Sequence, residues 1–132
     1  MKLRDSRILV TGAGSGIGRA LALELARRGA RQVLVGRNLE RLERTAQEIR
    51  AGSGEALCHA LDLSAAGGHE AAVEFCTGRL GALDILVNNA GMVGFGGFAA
   101  QSPDQIDTLV RTNLTGPLLL TRAALPGMLA RG

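Results

Sequence analysis

The sequence predicts an α/β fold in which a parallel sheet carries helices on both faces. Short apolar runs alternate along the chain with longer segments in which apolar residues recur every three or four positions. Alternation of this kind is typical of strands joined by crossover helices. We expect a single, partial domain over residues 1–132, with about four strands, the element order βαβαβαβα and the strand order 3-2-1-4.

Four apolar runs predict the strands. Each is short, and all but the third, which is weaker, are rich in Val, Ile or Leu, as expected for parallel strands that are buried on both faces. The predicted strands are Arg7–Thr11, Gln32–Gly36, Ala56–Leu61 and Leu83–Val87. The last of them has an open edge unless another segment pairs with it.

Apolar spacing and turn residues predict the first three helices. A helix is expected over residues 17–28, because Ile17, Leu21 and Leu25 are four apart and Gly29 follows the segment. Asn38 is a suitable N-cap for a second helix, and glycines at positions 52 and 54 end it. A third helix is expected within residues 68–79.

The last helix has a clear beginning. Ser102 is a suitable N-cap, Pro103 suits the first helical position and Gln105 completes a capping box. We expect the helix to run towards Leu129, with a kink at Pro117 and a second one at Pro126.

Composition and charge exclude several classes of function. The net charge is +3, but the basic residues are spread along the helices and interleaved with Glu, and only three aromatic residues are present, so we expect no nucleic-acid binding. No apolar run approaches 18 residues, so we expect no membrane helix and a cytoplasmic location. Cys58 and Cys76 lack the spacing of metal ligands, and free thiols without a metal site are expected.

A glycine-rich motif between the first strand and the first helix is the strongest functional signal. It reads Thr11-Gly12-Ala13-Gly14-Ser15-Gly16-Ile17-Gly18. Such a turn lets backbone N–H groups and a helix N-terminus reach a phosphate, with Gly12, Gly16 and Gly18 supplying the turn, the close approach and the close helix packing. The alternative is a tight turn without a ligand. The spacing differs from GxGxxG, because position 17 is Ile, and from the nucleotide-binding loop that ends in Lys.

The pattern TGxxxGxG resembles the short-chain dehydrogenase/reductase family, whose members bind NAD or NADP on a Rossmann sheet. Three further segments agree with the resemblance: Asp62-Leu63 after the third strand, the sequence NNAG at residues 88–91, and Asn113 within the last helix. Together they extend the resemblance from Arg7 to about Met128.

The resemblance implies roles for individual residues. Asp62 is expected to hydrogen-bond the adenine amino group, and the NNAG segment to brace the sheet and line the cofactor site. Asn113 matches the one active-site residue of the family that this chain contains. The cofactor-binding residues that we expect are Gly12, Ser15, Gly16, Ile17, Gly18, Arg37, Asp62, Leu63, Asn89, Ala90 and Gly91.

The end of the second strand favours NADP over NAD. Dinucleotide-binding folds that use NAD place an acidic residue about 20 positions after the glycine turn, where it binds the ribose 2′-hydroxyl. Gly36 stands at that position here and Arg37 follows it. A guanidinium group matches a phosphate in charge and in paired donors. The alternative is an ordinary exposed arginine.

Three other residues and one run of leucines each leave two interpretations open. Arg19 faces a phosphate or has an ordinary surface role, and Thr11 braces the turn at Asn88 and Asn89 or is a plain strand-end hydroxyl. Ile17 contacts the cofactor or packs its helix. The run Leu118–Leu120 belongs to the core or to a helix face that contacts a partner.

The sequence departs from the family pattern in its catalytic residues. It contains no Tyr and its one Lys is Lys2, whereas the family's serine and YxxxK pair would lie beyond Gly132. The resemblance therefore implies the cofactor-binding part of an enzyme that transfers hydride between NADP(H) and a carbonyl or alcohol substrate. The alternatives are a non-catalytic dinucleotide-binding module and an inactive fragment that oligomerises. A homo-oligomer is expected.

Overall fold

A four-stranded parallel sheet forms the centre of the computed structural model, which describes residues 2–94 and 96–132. The sheet has the order β3-β2-β1-β4, and each of the observed pairings is parallel. The predicted α/β class and strand order are therefore confirmed. The strands are β1 (Arg7–Thr11), β2 (Arg31–Gly36), β3 (Glu55–Ala60) and β4 (Ile85–Val87).

Helices follow each strand. They are α1 (Gly16–Arg27), α2 (Leu39–Ala51), α3 (His69–Leu80), α4 (Pro103–Val110) and α5 (Gly116–Arg131). A 3₁₀ turn, Phe98–Ala100, precedes α4, and one turn of π-helix, Arg111–Thr115, joins α4 to α5. The boundaries of the first three helices lie within a residue or two of the predicted ones, which is the usual scatter at helix ends.

Two apolar cores cover the two faces of the sheet. Ile8 and Val10 of β1 pack with α1 and α2, whereas Leu9 between them packs with α3 and α5. Successive side chains of a strand point to opposite faces, so a strand without polar interruptions supplies both cores. Because helices cover both faces, a ligand can reach the sheet at the carboxyl ends of its strands.

The fourth strand is shorter than predicted. It covers Ile85–Val87 rather than Leu83–Val87. The carboxylate of Asp84 accepts a hydrogen bond from the backbone N–H of Arg7 at 2.9 Å and pairs with the Arg7 guanidinium at 2.7 Å. A side chain therefore takes a position that a ladder hydrogen bond would occupy.

The last helical region also differs from the prediction. The capping box of Ser102 and Gln105 is present and Pro103 begins α4, as expected. However, the interruption before Pro117 is a π-turn, in which the N–H of Gly116 donates to the carbonyl of Arg111. Pro117 has no N–H to continue an α-helical ladder, and a wider turn removes that requirement. Pro126 lies inside α5.

The leucine run in α5 is divided between the core and the surface. Leu120 is fully buried against α3, whereas Leu118 is 60% exposed and Leu119 is 38% exposed. The two cysteines are free thiols, as expected. Burial raises the pKa of Cys58 to about 12 and that of Cys76 to about 11.

Candidate functional site

The glycine turn between β1 and α1 packs closely against neighbouring residues at Gly12 and Gly18 and is open at Gly16. Gly12 has a φ of +66°, and a Cβ added there would lie 2.9 Å from Asn89 Nδ2. A Cβ on Gly18 would lie 2.1 Å from the carbonyl oxygen of Gly12. Gly16 has a φ of +53°, and a Cβ there would meet nothing within 4 Å. Gly12 and Gly18 thus allow the predicted turn and close helix packing, while Gly16 faces open space.

Hydrogen bonds of Thr11 connect this turn to the segment that follows β4. Its hydroxyl accepts hydrogen bonds from the backbone N–H groups of Asn89 and Ala90, each at 3.0 Å, and donates to the carbonyl of Val87 at 3.3 Å. The Asn89 amide group donates to the carbonyl of Thr11 at 3.1 Å. The bracing interpretation of Thr11 is confirmed.

A groove of about 390 Å³ lies beside the carboxyl ends of the strands. In an open parallel sheet, ligands bind at this edge. Its walls are the glycine turn, the end of β2 with the start of α2, the segment after β3 and the segment after β4. The groove is lined by Thr11, Gly12, Gly14, Ser15, Ile17, Val35, Gly36, Arg37, Asn38, Arg41, Leu42, Leu61, Asp62, Leu63, Asn89, Ala90, Gly91, Met92 and Thr112.

Most of the residues predicted to bind a cofactor line this groove. They are Gly12, Ser15, Ile17, Arg37, Asp62, Leu63, Asn89, Ala90 and Gly91. Gly18 lies buried beneath the turn, and Gly16 is exposed at its outer side rather than in the wall. Asn113 borders a neighbouring hollow that shares Ala90, Gly91 and Met92 with the groove.

The surroundings of Ile17 and Arg19, near the start of α1, decide between interpretations that the sequence left open. Ile17 is 79% exposed and lines the groove, so the expectation that it packs its helix is wrong. Apolar spacing predicted the packing, but the first turn of α1 extends past the edge of the sheet. Arg19 pairs with Glu48 of α2 at 2.5 Å, which is the surface role.

Asp62 is held in a local turn at the far side of the groove. Its Oδ1 accepts hydrogen bonds from the backbone N–H of Ser64 at 2.9 Å and from the Ser64 hydroxyl at 2.7 Å. These bonds, the hydroxyl first, lower the pKa of the Asp62 carboxyl, and the nearby charge of Arg37 adds to the effect. Asp62 is therefore an ionised acceptor with a fixed orientation at neutral pH.

Arg37 is a cation at the groove whose charge acts on the Asp62 carboxylate without a direct contact. It is exposed, and within the part of the chain that the structure describes its guanidinium has no hydrogen bond or ion pair. Arg41, four residues later on α2, lines the same groove and is also without such a partner among the described residues. Sequence reasoning did not single out Arg41; its signal was a second basic residue in the first turn of the helix that follows β2.

Asn113 joins the π-turn to the loop after β4. Its Oδ1 accepts a hydrogen bond from the N–H of Met92 at 2.8 Å, and its Nδ2 donates to the carbonyl of Met92 at 2.7 Å. The side-chain amide of Asn113 thus satisfies the N–H and the carbonyl of Met92. Because Met92 lines the groove, these two hydrogen bonds hold that part of the wall.

The site shows no sign of a metal centre within residues 2–94 and 96–132. No three His, Cys, Asp or Glu residues in this part of the chain lie close enough together to hold an ion.

None of the helices described is both long and apolar enough to cross a bilayer.

The groove fits a nucleotide that carries phosphate groups. The glycine turn offers backbone without side chains above it, at the N-terminus of α1, where N–H groups and the helix dipole favour an anion. The side chains of Arg37 and Arg41 add positive charge on the wall formed by the end of β2 and the start of α2. Asp62 and Leu63 lie further along, beside the end of β3.

Comparisons with known proteins agree with this geometry. The chain matches the family model described as short chain dehydrogenase over residues 6–132. It is 36% identical over 131 residues to an uncharacterized oxidoreductase of Listeria monocytogenes, covering 99% of this chain and 53% of that protein. It is 43% identical over 129 residues to the human dehydrogenase/reductase SDR family member 13, covering 94% of this chain and 32% of that protein. The chain therefore spans a third to a half of the length of these relatives.

Solved structures share the fold over almost the whole chain. A metagenomic short-chain oxidoreductase crystallised in complex with NADP is 42% identical, with a TM-score of 0.93 over 99% of this chain and 60% of that one. A short-chain dehydrogenase from Burkholderia cenocepacia, also in complex with NADP, is 31% identical, with a TM-score of 0.91 over 97% of this chain and 53% of that one. The sheet order, the braced glycine turn and these matches show that the chain belongs to the short-chain dehydrogenase/reductase family.

Proposed function

We propose that this chain is the cofactor-binding part of an NADP(H)-dependent oxidoreductase. The groove carries the proposal: it brings the glycine turn, Arg37, Asp62 and the segment Asn89–Gly91 to one edge of the sheet. Two structural relatives were crystallised with NADP, which supports a nicotinamide dinucleotide as the ligand. The proposed reaction of the whole enzyme is hydride transfer between NADP(H) and a carbonyl or alcohol substrate.

The bound nicotinamide would supply the hydride chemistry, and the residues of this chain bind and orient the cofactor. Gly12 and Ser15 present backbone at the N-terminus of α1 to the pyrophosphate, Gly16 enters the helix with a positive φ, and Gly18 keeps α1 close enough to the turn. Asp62 accepts a hydrogen bond from the adenine amino group, with Leu63 beside it. Ile17, Asn89, Ala90 and Gly91 line the remaining length of the groove.

The proposed preference for NADP rests on the wall that follows β2. Gly36 leaves no carboxylate for a ribose 2′-hydroxyl, and a Cβ there would lie 3.4 Å from Leu42 of α2. Arg37 follows it with a guanidinium that is unpaired among the described residues. A 2′-phosphate would meet a positive, hydrogen-bonding side chain rather than an acid.

Calorimetric titration with NADP⁺ and then with NAD⁺ tests the proposal. We expect tighter binding of NADP⁺, and we expect Arg37→Ala to weaken NADP⁺ binding by about 1.5–3 kcal/mol while changing NAD⁺ binding little. Absence of binding by both dinucleotides would contradict a cofactor site. Equal losses for both in Arg37→Ala would contradict the assignment of Arg37 to the 2′-phosphate.

Asn113 is proposed to act as a positioning residue. Its amide is engaged with the backbone of Met92 on both sides, so it holds the loop that forms one wall of the groove. The sequence contains no tyrosine and no lysine after Lys2, so we assign no residue of this chain to proton transfer.

We also propose that the chain forms a homo-oligomer through the outer face of α4 and α5. Large apolar side chains are exposed along this face: Val110, Leu114, Leu118, Leu125 and Leu129. An apolar stripe of this kind is typical of a contact surface. Light scattering is expected to give a multiple of 13.7 kDa, and a monomeric mass would contradict the proposal.

We also propose a cytoplasmic location, with which the two free thiols agree.

A further inference from the structure

Arg41 differs from the other arginines of α2. Arg41 is among the residues that line the groove, and its guanidinium has no hydrogen bond or ion pair to the residues that the structure describes. Arg44 pairs with Glu40 at 2.5 Å, and Arg50 pairs with Glu43 at 3.1 Å. Within one helix, the cations on the outer surface are compensated and the cation that faces the groove is not.

The backbone of Arg41 is fixed from two sides. Its N–H donates to the Oδ1 of Asn38, the N-cap of α2, at 3.0 Å. On the other side, a Cβ added to Gly14 would lie 3.0 Å from the Cβ of Arg41, so the stem of this arginine starts directly against the glycine turn. The main chain and Cβ are therefore held in place, and the long side chain is left to reach into the groove.

Arg37 and Arg41 form one positive wall. Both line the groove, at the N-terminus of the 13-residue helix α2, whose dipole adds positive character. The one carboxylate among the lining residues is Asp62, and its Oδ1 already accepts two hydrogen bonds from Ser64. An anion bound between two guanidinium groups would offset their mutual repulsion.

We propose that Arg41 is a second specificity-determining residue, which binds the 2′-phosphate of the adenosine ribose together with Arg37. This inference rests on the proposed function. A phosphate monoester carries a charge near −2 at neutral pH and has three acceptor oxygens, so it can accept hydrogen bonds from two guanidinium groups at once. The pyrophosphate, by contrast, is expected at the N-terminus of α1, on the wall formed by Ser15 and its neighbours.

Arginine variants distinguish the two phosphate positions. We expect Arg41→Ala to weaken binding of NADP⁺ and of adenosine 2′,5′-bisphosphate by roughly ten- to a hundredfold. Binding of NAD⁺ and of adenosine 5′-monophosphate should stay nearly unchanged. Arg41→Lys keeps the charge without the paired donors, and an intermediate loss is expected. Arg44→Ala, on the same helix but outside the groove, is the matched control and should leave all four affinities unchanged.

The double variant Arg37→Ala/Arg41→Ala tests whether the two groups share one anion. Residues that bind the same group show non-additive effects, so the combined loss should differ from that expected if the two single losses were independent. Thermal unfolding of each variant checks that folding is intact, which is expected because both side chains are exposed.

Three outcomes would overturn the proposal in different ways. Equal losses for NAD⁺ and NADP⁺ in Arg41→Ala would place this arginine on the shared part of the cofactor, whereas unchanged binding of all ligands would show a solvated side chain. Failure of the unmodified protein to bind any of the four nucleotides would contradict the proposed function itself, and the inference with it. Normal NADP⁺ binding combined with either of the first two results would leave the proposed function standing.

Discussion

The hydroxyl of Thr11 accepts hydrogen bonds from two consecutive backbone N–H groups, those of Asn89 and Ala90, across 78 and 79 residues of sequence. One buried side chain thus connects the end of β1 to the segment after β4, and the glycine turn begins at the next residue. The two walls of the groove that follow β1 and β4 are therefore held at a fixed separation.

Replacing Thr11 by Val is expected to lower the free energy of unfolding by about 1–3 kcal/mol. The shape of the side chain is nearly unchanged, but the N–H groups of Asn89 and Ala90 lose their acceptor in a part-buried position. Urea denaturation measures the effect. Thr77→Val is a suitable control, because the Thr77 hydroxyl donates only within its own helix, to Glu74. Equal losses in the two variants would show that the hydrogen bonds of Thr11 to Asn89 and Ala90 stabilise the fold no more than a hydrogen bond within one helix does.

Gly18→Ala is expected to destabilise the protein by at least about 1–3 kcal/mol, because the new methyl group would lie 2.1 Å from a backbone oxygen and the turn would have to move. The same experiment should show weaker dinucleotide binding, since α1 can no longer approach the turn. Thermal unfolding and calorimetric titration measure the two effects.

Gly78→Ala is the matched comparison and is expected to act in the opposite direction. Gly78 lies in α3, is exposed, and a Cβ there would meet nothing within 4 Å. Alanine should raise the free energy of unfolding by about 0.5–1 kcal/mol, because it favours the helix. Destabilisation by this variant as well would show that the effect of Gly18→Ala is not specific to the clash.

The pair Arg7–Asp84 is expected to make stability depend on pH in the acid range. The hydrogen bond from the Arg7 side chain is the main reason that the pKa of Asp84 falls from 3.8 to about 2. A carboxyl whose pKa is lower in the folded state contributes stability above its unfolded pKa, and that contribution disappears as the pH falls through the folded value. The stability difference between the native protein and Asp84→Asn should therefore be full above about pH 4 and shrink towards about pH 2.

Urea denaturation at several pH values measures this difference. We expect roughly 1–2 kcal/mol at neutral pH, since water partly screens a pair of this exposure. Glu70→Gln, which removes the exposed partner of Arg122, should change stability by less than about 0.5 kcal/mol. A difference for Asp84→Asn that is constant from neutral pH to about pH 2 would contradict the linkage.

Asn113 variants are expected to loosen the loop that follows β4 in two steps. Asn113→Asp keeps an acceptor for the N–H of Met92 and removes the donor to its carbonyl, whereas Asn113→Leu removes both hydrogen bonds. Hydrogen exchange at the amide of Met92 should therefore be faster in the Asp variant and fastest in the Leu variant. Unchanged exchange in Asn113→Leu would show that the amide does not hold the loop.

Local sequence patterns predicted those parts of the fold that depend on neighbouring residues. The strands of the sheet, the Asn38 cap and the Ser102–Gln105 capping box follow from apolar spacing and short-range hydrogen bonding. The turn at Gly12 and the close packing of Gly18 followed from the motif, because a turn of this length has few conformations available.

Apart from the bracing by Thr11, which was one of two interpretations left open, features that depend on distant partners were not predicted. The length of β4 is limited by Asp84, whose carboxylate binds Arg7 77 residues away, and the π-turn places Asn113 against Met92. Arg41 was missed because the sequence does not show which arginines have carboxylate partners, and this one differs from Arg44 only by the face on which it lies. The exposure of Ile17 reflects where the sheet ends, which apolar spacing does not encode.

The turn of π-helix at Arg111–Thr115 sets the rotational phase between α4 and α5. A π-turn holds about one residue more than an α-turn, and each residue of an α-helix adds about 100° of rotation. Removal of one residue from this turn would rotate all of α5 by about that angle, and it would place Pro117, which has no N–H, inside an α-helical ladder. Leu120 and Ala124 would then leave the core, and a single-codon deletion in this segment would disturb the sheet face about 15 Å along the helix axis from the deletion.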